Sequence, residues 1–144
     1  MSYTRIWLHC VWGTKNHYPF LAKGKKEIVI QHIVSNAKNK GIYIDTINGH
    51  HDHLHCLISL SRDLSISKTM QLIKGESAFW INKNKIVQGV FSWAVDYYAV
   101  SVSESQLEKV RNYIVNQERH HKKKTWQEEY DEFISDYFPD LVKG

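Results

Sequence analysis

From His53 to Leu60 the chain alternates in a way that suits a β-strand with two unlike faces. Leu54, Cys56, Ile58 and Leu60 fall on one side, the core side, because successive strand side chains point in opposite directions. His53 and His55 fall together on the other, about 6.6 Å apart along the strand. Two imidazoles aimed from one rigid strand are a ready pair of metal ligands. The same pair also suits ordinary polar positions at a solvent-facing strand end.

The rest of the chain supplies a frame for that strand. Arg5 to Thr14 sets Ile6, Leu8, Cys10 and Trp12 against Trp7, His9 and Val11, and reads as a first strand. Lys25 to Lys40 reads as a helix with Ile30, Ile33, Val34 and Ala37 inward, closed by Gly41. Ile42 to Asn48 is a second strand, and Asn48 to Asp52 a turn into the third. Ser65 is a good N-cap for a helix to about Asn82, with Ile66, Met70, Ile73 and Trp80 or Ile81 inward. Phe91 to Val102, aromatic and β-branched, reads as a fourth strand. Ser103 with Gln106 reads as a capping box opening a helix to about His121. Thr125 with Glu128 opens a short last helix ending before Pro139.

The order is βαββαβ plus added helices, an α+β chain of the ferredoxin or RRM-like kind. Such chains form a four-stranded antiparallel sheet with both helices on one face. The long helix from Ser103 is then available to cover the other face, where His53 and His55 can lie. No linker or repeat divides the 144 residues, so 1–144 are read as one domain.

Charge and aromatics narrow the partner. The formal net charge is +4, with basic clusters at Lys23, Lys25 and Lys26, at Lys83 and Lys85, and densest from Arg119 to Lys124. Tyr18, Trp80, Trp93, Tyr97, Tyr98 and Trp126 are distributed among them. Cations with aromatics suit unpaired nucleic acid, although each cluster alone is also an ordinary solvated loop or helix end. Cys10 and Cys56 sit in apolar runs as small buried hydrophobes. The absence of a signal pattern and of any apolar stretch approaching 18 residues leads to the expectation of a soluble, cytoplasmic protein with no membrane partner.

On the long helix, Tyr113 and Gln117 are four residues apart and so share a face. If that helix covers the histidine strand, a phenol and a neutral amide reach the same place. At this point the chain resembles a known family. His53-Leu54-His55 is similar to the HUH motif, and Tyr113-Ile114-Val115-Asn116-Gln117 to the tyrosine motif of single-tyrosine insertion-sequence transposases of the IS200-like kind. Further colinear pieces are Thr14-Lys15, Ile73-Lys74-Gly75-Glu76-Ser77 with Trp80-Ile81-Asn82, Phe91-Ser92-Trp93, Ser101 to Ser105, Asn116 to His121 and Glu128-Glu129-Tyr130. The sequence Asp96-Tyr97-Tyr98-Ala99 departs from the family, where glycines often flank a tyrosine, which leaves the local strand geometry open.

The resemblance implies a DNA strand transferase and endonuclease acting on single strands or hairpins at element ends. Tyr113 would attack a scissile phosphate, giving a 5′-phosphotyrosine and a free 3′-hydroxyl. Mg²⁺ or Mn²⁺ bound by His53, His55 and Gln117 would assist, a hard-cation donor set without thiolate. Candidate DNA contacts are Lys15, Lys74, Arg119, His120, Lys122, Lys123 and Lys124. A homodimer with exchanged tyrosine helices is also implied. Two rival readings are a non-catalytic single-strand-binding module and, from His51-x-His53-x-His55, a histidine-triad nucleotide hydrolase.

Overall fold

The computed structural model describes residues 2–117, 127–128, 131–132 and 135. Its elements are β1 (Trp7–Gly13), α1 (Lys25–Asn39), β2 (Tyr43–His50), β3 (His53–Ser59), α2 (Ile66–Lys83), β4 (Tyr98–Val102) and α3 (Leu107–Val115). The strands form one sheet in the order β2-β3-β1-β4, every neighbouring pair antiparallel. The expected α+β sheet is therefore present.

One face carries the main core. Leu8, Cys10 and Trp12 from β1 and Leu54, Cys56 and Ile58 from β3 meet Val29, Ile33 and Ala37 of α1 and Met70, Ile73 and Ile81 of α2. Each of the large aliphatic side chains removes enough apolar surface from water to contribute about 1.5–3 kcal/mol. Cys10 and Cys56 are directly paired across β1 and β3, both as buried free thiols. Burial pushes the Cys10 thiol up to about 12 and raises that of Cys56 as well.

The helix stripes differ in detail from the sequence reading. In α1 the buried positions are Lys26, Val29, Ile33 and Ala37, while Val34 is exposed. Lys26 can lie inside because its ammonium donates to the Gly49 carbonyl at 3.2 Å. Ser65 caps α2 as expected, accepting from the Lys68 amide at 3.0 Å. Gly41, at φ +74°, supplies the left-handed residue that ends α1.

The fourth strand is much shorter than Phe91 to Val102. Tyr98 pairs with Val11, and Trp93 bridges Thr14, so five steps of one chain face three of the other. The excess is taken up near residues 94–96, whose carbonyls accept from the Lys74 ammonium at 2.8, 2.9 and 3.3 Å. Phe91 is held in both directions by one side chain: its N–H donates to Asn82 Oδ1 and its carbonyl accepts from Asn82 Nδ2. Trp93 is buried, its indole donating to Ser77 Oγ at 2.9 Å. Side chains of α2 thus take hydrogen bonds that a continuous ladder would have made.

At the start of α3, Ser103 makes no side-chain cap, its hydroxyl lying 3.0 Å from that of Ser105. Residues Glu104–Gln106 form a 3-10 turn whose Glu104 carboxylate accepts from Arg5 and from the Trp7 indole. Helix α3 ends at Val115 with Asn116 as its C-cap, short of the expected His121; residues 118–121 and the box at Thr125 lie outside the described residues. Among the described residues no helix is long and apolar enough to cross a membrane.

Candidate active site

The second face of the sheet holds the candidate chemistry. Alternation along β3 puts His53, His55 and Leu57 there, and antiparallel pairing sets Gly13 opposite His53 and Val11 opposite His55. Both histidines are wholly buried, with ring centroids 5.2 Å apart and planes at 71°.

Helix α3 is the cover. Its Leu107, Val110 and Ile114 join Trp7, Leu57 and Val102 in a second hydrophobic cluster, and Tyr113 belongs to the same group. The Tyr113 ring packs edge-on to His55 at 5.5 Å. Two polar clamps fix the helix to β2. Arg111 donates to both carboxylate oxygens of Asp45, at 2.8 and 3.0 Å, and Asn48 Nδ2 donates to the Val115 carbonyl at 3.0 Å. Asn48 lies directly opposite His55, so this bond ties the end of α3 to the histidine register. Gln117, two residues further on, is wholly buried, its Nε2 donating to the Tyr113 carbonyl at 3.3 Å.

Each histidine is held through its Nδ1. Asp52 Oδ1 lies 2.7 Å from His53 Nδ1, and His9 Nε2 lies 3.0 Å from His55 Nδ1. Burial disfavours the Asp52 carboxylate, but hydrogen bonding and charge from His53, with His17 and His50, outweigh it and hold the carboxyl below its ordinary value. With Nδ1 engaged in both rings, Nε2 would be the atom by which each held a ligand. Among the described residues no cluster of three or more His, Cys, Asp or Glu has metal-holding geometry. The donor set in question has only two imidazoles, with the Gln117 amide as third. Two imidazole nitrogens and an amide oxygen fit a divalent cation by their chemistry.

His9 was not among the candidates read from the sequence. Its signal was present in β1, where it alternates with the core residues Leu8 and Cys10. Only strand pairing reveals that it shares the face of His55.

Of the proposed DNA contacts, Lys15 and Lys74 fall among the described residues. Lys15 opens the 3-10 turn Lys15–His17 just after β1, at the His53 end of the sheet, with its amide donating to the Ser92 carbonyl. Lys74 has its ammonium on three carbonyls, and burial lowers its pKa. Arg119, His120, Lys122, Lys123 and Lys124 lie outside the described residues. His51, needed by the histidine-triad reading, sits exposed in the turn and stacks on His50 at 4.0 Å, apart from the buried pair.

Comparison with known proteins identifies the family and the fold. The family model for IS200-like transposases matches residues 2–117, and the chain belongs to that family. Among solved structures it is similar to a protein from Deinococcus radiodurans described as a transposase. That match has a TM-score of 0.65 at 21% identity, covering 81% of this chain and 93% of the other. It is also similar to a REP-associated tyrosine transposase solved bound to a REP hairpin, with a TM-score of 0.64 at 14% identity, covering 85% and 72%. No curated protein matches.

Proposed function

We propose that this chain is a metal-dependent transposase that cuts and rejoins single-stranded DNA through Tyr113. The observation that carries the reading is the packing of the Tyr113 ring against His55, on one covered face with His53. A free phenol ionises only near pH 10, so it attacks a phosphate at neutral pH only with help. His53, His55 and Gln117 would hold Mg²⁺ or Mn²⁺, which when bound neutralises phosphate charge and favours the attack. The Tyr113 hydroxyl oxygen bonds to phosphorus, and the bond from phosphorus to the 3′-oxygen breaks. The phenol gives up a proton and the departing oxygen gains one, leaving a 5′-phosphotyrosine and a 3′-hydroxyl. The bond energy is conserved, so a second 3′-hydroxyl can reverse the step without a nucleotide cofactor.

The substrate proposed is single-stranded or hairpin DNA at element ends. Support comes from the basic, aromatic composition and from the hairpin bound by the REP-associated relative. A cytoplasmic homodimer is proposed as the assembly, and exchange of α3 between its subunits would require the Arg111–Asp45 and Asn48–Val115 bonds to re-form across chains.

The test is incubation with single-stranded DNA carrying the palindromic ends that flank the coding sequence, with Mn²⁺. A denaturation-resistant protein–DNA adduct is expected, abolished by His53→Ala, His55→Ala or excess chelator and reduced less by Gln117→Ala. Cleavage that persists in chelator would refute the metal role.

A further inference from the structure

We infer that His9 is a positioning residue that sets the tautomer of His55. The inference rests on the metal reading above and adds a residue that the reading does not contain. A neutral imidazole has one N–H and one lone pair, and only the nitrogen with the lone pair can bind a cation. His55 Nδ1 and His9 Nε2 are 3.0 Å apart, with the two rings stacked at 5.2 Å and 29°. Between two such nitrogens one donates and the other accepts. If His55 Nδ1–H donates, its Nε2 carries the lone pair and can ligate. If His9 donates, the proton of His55 moves to Nε2 and ligation is lost. Metal binding therefore selects the state in which His9 carries its proton on Nδ1 and accepts through Nε2.

The two ligands are then oriented by different means. Asp52, an anion, can only accept from His53, and its backbone is tied to β1 by the Thr14 amide, 2.8 Å from the Asp52 carbonyl. His9 is a neutral acceptor, wholly buried in the middle of β1 opposite Leu57. A carboxylate at that position would be desolvated beside the apolar cluster of Leu57, Val110 and Ile114, at a cost a neutral ring avoids. Strand β1 fixes the ring from behind, while Tyr113 packs edge-on to it at 6.1 Å. His9 therefore touches both the ligand it orients and the proposed nucleophile. Its role is to point one lone pair, not to react.

The experiment is titration of the DNA-free full chain with Mn²⁺, read by electron paramagnetic resonance, with melting curves recorded in parallel. His9→Phe keeps an aromatic ring but no acceptor, and it is expected to weaken Mn²⁺ binding about 10- to 100-fold, as loss of a ligand's orienting partner does. His9→Gln, whose Oε1 can accept, is expected to recover most of that loss. Long-range proton–nitrogen correlation spectra of the wild type with Mg²⁺ give a second reading, expected to show the proton on His55 Nδ1. That measurement decides the matter even if His9→Phe does not fold. A folded His9→Phe that binds Mn²⁺ like wild type, or a His55 proton on Nε2 with Mg²⁺ bound, overturns the inference alone. A wild type that binds no Mn²⁺ overturns the metal reading and this inference with it.

Discussion

Asp45 occupies the bulge in β2, between Ile44 and Thr46, and from there grips Arg111 of α3 through two hydrogen bonds. A bulge re-aims the residue it contains, here toward the helix that carries Tyr113. The Arg111 hydrogen bonds, opposed by burial and aided by Thr46, hold the Asp45 carboxyl below its ordinary value. A lowered carboxyl contributes stability above its unfolded value and loses it as pH falls through the folded one.

Asp45→Asn is therefore expected to cost about 1 kcal/mol at neutral pH, since Arg111 is partly exposed. That corresponds to a melting temperature about 2–4 °C lower. The gap between variant and wild type should narrow as pH falls through and below the ordinary carboxylate range, where the wild-type carboxyl also becomes protonated. Thermal melts across that range check it, and a constant gap would remove the pair from the docking of α3.

Gly49 faces Leu54 directly, and a Cβ there would lie 2.1 Å from the His53 carbonyl oxygen and 2.8 Å from Leu54 Cα. Both obstacles are backbone, so Gly49→Ala must push β2 from β3 at the histidine pair. Lower stability together with weaker Mn²⁺ binding is expected, and wild-type values for both would show that the strands separate freely there.

Much of the site was legible because β3 obeys simple alternation: Leu54, Cys56 and Ile58 face the core and His53, His55 and Leu57 face away. Tyr113 falls on the inward face that helical spacing gives it, whereas Gln117 lies beyond the end of α3 at Val115. What escaped depends on partners distant in sequence. Nothing local to Phe91–Val102 shows that Asn82 and Lys74 will take its hydrogen bonds and leave only Tyr98–Val102 as strand. Nothing local to Asp45 announces a bulge, and His9 gains meaning only when β1 is laid beside β3.

Lys74 is the clearest instance of a residue whose motif and surroundings suggest different roles. With its ammonium on the carbonyls of Ala94, Val95 and Asp96, Lys74→Met is expected to lower the melting temperature. The salt dependence of DNA binding should stay as in wild type. A slope reduced by about 0.7, the contribution of one neutralised phosphate on a single strand, would assign Lys74 to DNA instead.

Subunit mixing tests which chain's tyrosine serves which histidines. In the arrangement described, α3 lies on its own sheet. Tyr113→Phe subunits mixed with His53→Ala subunits rebuild a complete site only if helices are exchanged in the dimer. With subunit exchange verified, recovered cleavage is expected for a crossed dimer, and none if the Arg111–Asp45 docking persists in the state that cuts DNA.

The most direct test of the account is to find the atom that DNA becomes joined to. Wild-type protein incubated with its element-end single strand and Mn²⁺, then digested and analysed by mass spectrometry, is expected to yield a nucleotide-bearing peptide modified at Tyr113. Tyr113→Phe should bind the same DNA and yield no such peptide. An adduct on another residue, or one formed at normal rate by Tyr113→Phe, would contradict the central role of the buried tyrosine beside His55.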